Sequence, residues 1–247
     1  MCVTQLTQAR ATGSFGTLLD LVTSGRILIL SGAGLSTESG IPDYRGPTGL
    51  ARRAQPMTYQ VFTGNAAARR RCWARSYLGW RHIARAAPNG GHRAVAELSR
   101  RGLLTGIITQ NVDGLHEAAG SQRLTELHGN IWKVRCTQCG TRSVNRDIPM
   151  RLLPYCECGG LLRPHIVWFG EALDPSDLER SQEALNACDV LLIIGTSGVV
   201  YPAASFAAMA RAAGAFIAEV NLDATPNSSV VDVAIQGRAK DIVPELL

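Results

Sequence analysis

The chain reads as an α/β protein: a doubly wound parallel, Rossmann-like sheet that carries a small inserted domain. Three observations predict this. Short apolar runs of strand length, at 27–30, 106–109 and 190–194, are separated by helical patterns, an alternation that specifies a parallel sheet with crossover helices. These runs end in small or amide residues, which is how open α/β sheets present ligand contacts. Two stretches break the alternation, an arginine- and alanine-rich segment at 47–90 and a cysteine-bearing segment at 131–163. The parts at 14–46, 91–130 and 164–247 then form the sheet, and 1–247 reads as one domain with two insertions.

Composition agrees with a packed core. Hydrophobic residues make up 46% of the 247 residues, and the formal net charge is +5. No apolar run approaches the roughly 20 residues of a membrane span. The first 13 residues lack the apolar core of a secretion signal. A cytoplasmic protein is expected, with no membrane partner. Arg69-Arg70-Arg71 is the only dense basic run. It reads as a solvated helix face, since no aromatic or base-reading module accompanies it, and nucleic acid is not indicated.

Taken in order, 14–24 is a short helix with apolar Leu18, Leu19, Leu21 and Val22, Ser14 as its cap and Gly25 as its stop. The strand at 27–30 runs into Gly32-Ala33-Gly34, the start of a dinucleotide-binding turn, where glycines let the backbone approach a pyrophosphate. Thr37 stands where the usual third glycine would. Ser36, Thr37, Glu38, Ser39, Asp43, Tyr44 and Arg45 then crowd around Gly40 and Pro42, which break any long helix. This is a polar loop able to close over a ligand, with Arg45 able to meet phosphate. The segment that follows is helical. On it, Trp73, Tyr77 and Trp80 share a face at helical spacing, as core residues do.

A helix at 92–101 turns Ala94, Val95 and Leu98 to the core, with His92 packed or capping. The second strand leads into Gln110-Asn111-Val112-Asp113-Gly114-Leu115-His116. Gln110 suits a ribose hydroxyl, while Asn111 and Asp113 suit an amide such as nicotinamide, which offers a donor and an acceptor. The plain alternative is an Asx cap for the helix that begins near Asp113, with His116 structural in its first turn. Further on, His128 stands before Gly129. Its type has an ordinary pKa near 6.5, which suits proton transfer at neutral pH.

There are seven cysteines. Cys2, Cys72 and Cys188 are scattered and read as free thiols. Cys136 and Cys139 form a Cys-x-x-Cys knuckle, and 16 residues separate it from Cys156 and Cys158. This spacing fits a four-thiolate zinc ribbon, a structural site with no open coordination position. The second pair is Cys-x-Cys, and Gly159-Gly160 supplies backbone freedom for the tighter knuckle. A redox Cys-x-x-Cys would leave that second pair unexplained. Beyond it lie a helix at 178–187, the strand at 190–194, a helix at 203–213, and strands at 215–220 and 230–235. The strand at 190–194 ends in Gly195-Thr196-Ser197, fit for phosphate or ribose.

GAGLSTESGIPDYRG, from Gly32 to Gly46, resembles the signature of the sirtuins, NAD-dependent protein-lysine deacylases. Gln110–His116, Leu124–Gly129 and Leu161–Glu171 agree with it, and the likeness runs from about Leu18 onward. The resemblance implies an enzyme that uses NAD as co-substrate, holds one structural zinc, and acts on an acylated lysine protein or peptide. It implies cofactor contacts from Gly32, Ala33, Gly34, Ser36, Thr37, Asp43, Tyr44, Arg45, Gln110, Asn111, Val112, Asp113, His128, Gly195, Thr196 and Ser197. Asn221, with Leu222 and Asp223, takes the adenosine ribose, and Ala239 lies under the adenine. Asn111, Asp113 and His128 are its catalytic set, with His128 accepting a proton from a ribose hydroxyl. That hydroxyl attacks the acyl carbon, and water then releases the amine and O-acyl-ADP-ribose.

Val167, Trp168, Phe169, Gly170 and Glu171 pair with the substrate peptide, and Val199, Val200 and Tyr201 form the other side of the cleft. Gly198 stands where the family often has a second serine, so the phosphate contacts there are expected to be weaker or rearranged. The helical insertion resembles class II sirtuins around Trp73–Trp80. It also holds Tyr77 and Arg81, one residue wider than the class III Tyr-x-x-Arg pair that meets acidic acyl groups. No strong succinyl preference is expected. Two rivals use the same residues: protein mono-ADP-ribosylation, and a non-catalytic NAD-binding zinc module.

Overall fold

The computed structural model describes residues 15–43, 49, 57–144 and 154–247. Tyr44 and Arg45, the cap Ser14 and Cys2 lie outside the described residues, as does the side chain of Trp80. Helix α1 (Phe15–Ser24) precedes strand β1 (Ile27–Ser31). Helices α2 (Tyr59–Gly64), α3 (Ala66–Ile83) and α4 (Gly90–Arg100) follow. Strand β2 (Leu104–Thr109), the one-turn helix α5 (Leu115–Ala118) and β3 (Leu124–Glu126) lead to β4 (Gly129–Cys136), β5 (Arg142–Val144) and β6 (Leu162–Ile166). The chain continues through α6 (Pro175–Ala187), β7 (Val190–Ile194), α7 (Phe206–Ala212), β8 (Phe216–Asn221), β9 (Val233–Gln236) and α8 (Ala239–Ile242).

The large sheet has six strands in the order β3-β2-β1-β7-β8-β9, and every pairing is parallel. The alternation of side chains along each strand feeds two cores. Ile27 and Ile29 join Val190, Leu192 and Ile194 under α1, α4 and α8. Leu28 and Leu30 join Leu191 and Ile193 under α6 and α7. A strand buried on both faces must read as an unbroken apolar run, which is why β1 and β7 are so plain in the sequence. Strand order reverses between β1 and β7, and the carboxyl ends of the strands at such a switch point are where open α/β sheets place their ligands.

The second sheet is antiparallel, in the order β5-β4-β6. It starts at Gly129, directly after His128, and holds the four cysteines at its far end. Several bounds differ from expectation for local reasons. Helix α6 starts at Pro175 rather than 178, because the Asp174 carboxylate accepts the Ser176 N–H at 3.0 Å and caps it. The last strand starts at Val233 rather than 230, since the amides of Val230 and Val231 both turn back to the Asn227 carbonyl. Residues 203–205 form a 3-10 turn ahead of α7. Among the described residues, no helix is long and apolar enough to cross a membrane.

Candidate functional site

The turn after β1 is not the start of a crossover helix. It consists of two 3-10 turns, Ala33–Leu35 and Thr37–Ser39, with the Thr37 hydroxyl donating back to the Gly34 carbonyl at 3.0 Å. Its glycines are needed for contact with a neighbouring turn. A Cβ on Gly32 would meet the Gly195 carbonyl oxygen at 2.7 Å, and one on Gly34 would meet the Gly195 Cα at 2.8 Å. Gly195 itself is left-handed, with φ of 61°. The ends of β1 and β7 are thus pressed together at the switch point, backbone on backbone.

A polar network fills the floor beside this turn. Ser36 is buried, and its hydroxyl donates to Asp113 Oδ2 at 2.7 Å while accepting from Asn111 Nδ2 at 3.1 Å. Asn111 Nδ2 also donates to the Gly32 carbonyl at 3.0 Å. The other Asp113 oxygen accepts the Leu115 N–H at 2.8 Å, so from the position before the Gly114 cap Asp113 holds the first amide of α5. Burial pushes the Asp113 carboxyl up, and the Leu115 and Ser36 hydrogen bonds oppose this. Asn111 and Asp113 are both under a tenth exposed, an unusual environment for residues at a loop.

Two histidines support the floor. His92 completes a capping box: Asn89 accepts the Gly91 N–H at 2.9 Å, and His92 Nδ1 accepts the Asn89 N–H. That leaves a proton on Nε2, which donates to Ser36. His116 lies 2.9 Å from the Ser31 hydroxyl and meets the His92 ring edge-on. Burial holds both rings neutral, His92 at about 4 and His116 at about 3. Asn89 also donates to the Leu35 carbonyl at 2.7 Å, tying α4 to the polar turn.

His128 sits just past β3 with Nδ1 3.0 Å from the Gln110 carbonyl. A carbonyl only accepts, so Nδ1 carries the proton and Nε2 is left as the basic atom. Burial lowers the His128 pKa, and the Gln110 hydrogen bond works against that. The Gln110 side chain reaches across to the Thr196 hydroxyl at 2.9 Å. Asn221 donates to the Thr196 carbonyl at 3.1 Å and to Glu219 at 2.8 Å. Gln110, Thr196 and Asn221, which end three different strands, are therefore one connected edge. Ala239 is buried, Ser197 and Asp223 are exposed, and Leu222 is 60% exposed. The Val112 carbonyl holds the Ile131 amide, so its backbone fixes the start of the second sheet.

Sequence reasoning missed Glu219 and Asn227. Glu219 is 1% exposed and accepts from Asn221 and from the hydroxyls of Thr225 and Ser228. Asn227 fills the space at Gly198, where a Cβ would meet its amide nitrogen at 2.4 Å. An acid inside an apolar strand was a signal for the first, whereas nothing local marks the second.

The segment after β6 carries the remaining expected contacts. The Val167 amide donates to the His128 carbonyl at 2.9 Å, and the Phe169 carbonyl accepts from the Tyr59 amide. Trp168 is buried, with its ring 4.5 Å from that of Phe62. Glu171 faces inward, where it binds Arg163 at 2.7 Å and accepts the Trp168 N–H at 3.1 Å. The Arg163 guanidinium is 4.0 Å from the Trp168 ring centre. The side chains of Trp168 and Glu171 are thus engaged within the protein. Phe169, Val199 and Tyr201 are exposed, Gly170 is left-handed and Val200 is half-buried. Tyr77 is half-buried against Trp73, at 5.7 Å between rings, while Arg81 is exposed on α3.

Cys136, Cys139, Cys156 and Cys158 have their sulfurs within 4.8 Å of one another. Two of the separations, 3.5 Å for Cys136–Cys158 and 3.8 Å for Cys139–Cys156, match the ~3.8 Å edge of a tetrahedron with zinc–sulfur bonds of ~2.3 Å. The Cys136 sulfur also accepts the Gln138 amide at 3.3 Å. A Cβ on Gly160 would meet the Cys136 sulfur at 2.6 Å, so the tight Cys-x-Cys knuckle requires a glycine there. The four thiols fit one zinc ion. Cys72 and Cys188 are buried free thiols.

A six-stranded parallel sheet with a polar, hydrogen-bonded switch point, joined to a four-cysteine ribbon, defines a class: Rossmann-like proteins with a zinc-ribbon insertion. Within that class the chain belongs to the Sir2 family, whose family model matches residues 32–202. It is 45% identical over 238 residues to NAD-dependent protein deacetylase 1 of Streptomyces coelicolor, covering 83% of this chain and 80% of that one. It is 44% identical over 232 residues to NAD-dependent protein deacylase 2 of Pyrobaculum aerophilum, covering 92% of each. The structure of a Sir2 protein with a p53 peptide and NAD+ superposes with a TM-score of 0.85 at 30% identity, over 95% of this chain and 97% of that one.

Proposed function

We propose that this chain is an NAD-dependent protein-lysine deacylase that releases nicotinamide and O-acyl-ADP-ribose. The observation that carries the reading is the tautomer of His128. Its Nδ1–H is committed to the Gln110 carbonyl, which leaves Nε2 to accept a proton beside the switch point. NAD bound there supplies the ribose carbon that the acyl oxygen attacks as nicotinamide leaves. The edge formed by Gln110, Thr196 and Asn221 holds the riboses and phosphates, joined by Gly32, Ala33, Gly34, Ser36, Thr37 and Ser197. Asn111 and Asp113 receive the nicotinamide amide. His128 takes the proton of a ribose hydroxyl, which then attacks the acyl carbon. The exposed Phe169, Val199 and Tyr201 flank the acyl-lysine peptide. The zinc is structural, because four thiolates leave no position for substrate.

The same residues would serve ADP-ribosyl transfer to protein, so the product decides. Acyl-lysine peptides are incubated with NAD and followed by mass spectrometry. Nicotinamide and O-acyl-ADP-ribose support the reading, and a mass gain of ADP-ribose on protein without them overturns it. Within the panel, succinyl-lysine gains no large advantage in kcat/KM over uncharged acyl groups. Burying its carboxylate needs a placed partner, and Arg81 stands exposed on α3. A succinyl preference that vanishes in Arg81→Met would overturn this. We place the protein in the cytoplasm, because a reduced four-thiol cluster suits a reducing compartment.

A further inference from the structure

From residue 44 to residue 96 the chain has ten arginines and no acidic residue, so the remainder carries a net charge of −5. In the described part of this stretch five of the seven arginines, Arg69, Arg70, Arg71, Arg75 and Arg81, lie on one element. Helix α3 buries Ala68, Cys72 and Trp73, while Arg70, Arg71, Arg75 and Arg81 are exposed. At 100° per residue these four fall on the arc opposite the buried one. Among the described residues none of these four pairs with a carboxylate, whereas eleven other ion pairs form there.

Helix stability does not account for the pattern. Arg70 and Arg71 lie near the amino end, where the helix dipole disfavours cations, and no acid stands in the first turn. Arg71 and Arg75 are like charges four apart on the helix, a destabilising arrangement. Arg69 does have a structural task, donating to the Phe62 and Thr63 carbonyls at the end of α2.

The position of the helix suggests the use. Cys72, between Arg71 and Arg75, packs in one cluster with Phe62 and Trp168. Thr58, which caps the preceding helix α2, is bridged to Phe169 in the segment after β6. The arginine row therefore stands about one helix diameter, ~10 Å, from the expected peptide strand. That is close to the screening length at physiological salt, ~8 Å.

We infer that the outward face of α3 is a docking surface for acidic segments of the acyl-lysine protein, and so selects lysines flanked by aspartate and glutamate. This rests on the deacylase reading, so binding is measured along with turnover. Acetyl-lysine peptides with glutamate, glutamine or arginine flanks are compared by fluorescence anisotropy and by NAD-dependent turnover. The glutamate peptide should bind about tenfold tighter than the arginine peptide at low salt, with lower KM and similar kcat. The gap should close at about 1 M salt, where screening falls to ~3 Å. It should also close in the triple variant Arg70→Gln, Arg71→Gln, Arg75→Gln, and persist in the distant Arg180→Gln. If the triple variant fails to fold, the salt series on the native protein still decides.

Equal binding of the glutamate and arginine peptides overturns the inference. So does a preference that survives high salt. Duplex DNA that binds more tightly than the glutamate peptide, and loses affinity in the triple variant, overturns it in favour of a nucleic-acid surface. Peptide preference without turnover on any acyl group would sink the deacylase reading and leave the docking surface standing.

Discussion

A backbone oxygen decides what His128 can do. Because the Gln110 carbonyl accepts a hydrogen bond from Nδ1–H, the ring presents a lone pair at Nε2 in its neutral form. Burial holds its pKa below the ordinary histidine value, so the acidic limb of kcat/KM should fall below pH ~6.5. His128→Ala should lose roughly 100-fold or more in turnover, while isothermal titration still registers NAD binding. Full turnover in a folded variant would remove His128 from the mechanism. Arg163 and Glu171 invite a second test. Glu171→Ala strands a guanidinium that is 3% exposed, which should cost about 3–5 kcal/mol in a denaturant titration. The double change Arg163→Met, Glu171→Gln should recover much of that loss, since it leaves no buried charge unpaired. Equal destabilisation by the single and double changes would show that packing on Trp168, rather than the charge pair, sets the cost.

Among the elements, the zinc ribbon depends most on its ligands. Strand β5 is three residues long and exposed throughout, so apolar burial contributes little to it. The purified protein should hold one zinc per chain by elemental analysis. Cys156→Ser should lower the melting temperature, because metal binding and folding are coupled there; an unchanged melting temperature would count against the site. How much was legible follows the same physics. Strands β1 and β7 are buried on both faces, so their apolar runs marked them within a residue. The antiparallel sheet carries no such mark, because β4 mixes buried and half-exposed positions and β5 is exposed. Helix α8 has four residues, too few for a periodicity. The cysteine spacing was enough to place the metal cluster. The hydrogen-bonded floor was not legible as a network, because Ser36, Asn111 and His92 meet only when the ends of β1 and β2 and the start of α4 converge. The close approach of Gly195 to Gly32 and Gly34 was equally hidden, because it joins turns that are far apart in the chain.

For the molecule as a whole, two neutral histidines set an acid limit. His92 at about 4 and His116 at about 3 lie below the ~6.5 of an unfolded chain. Between those values the unfolded state binds more protons, so stability rises with pH there and is fully present above ~6.5. Each histidine contributes a slope of about 1.4 kcal/mol per pH unit between its folded and unfolded pKa values. Calorimetry from pH 7 to pH 5 should therefore record a falling melting temperature, and a flat profile would exclude buried neutral rings. His116→Gln should reduce the slope even if it lowers the melting temperature at pH 7.

The central pair of the large sheet has a cost during synthesis. β1 is bonded on one side by β7, with Arg26 meeting Asp189 across 163 residues of chain. A ribosome makes β1 early and supplies its second neighbour only after both insertions have emerged. Until then Ile27–Ser31 is an apolar edge with unpaired amides, the kind of strand that recruits other chains. The switch point has no second wall in that interval, because Gly195 and Thr196 do not yet exist. Nascent chains arrested before residue 190 should sediment with aggregates or with bound chaperone, whereas chains arrested beyond residue 236 should fractionate as soluble protein.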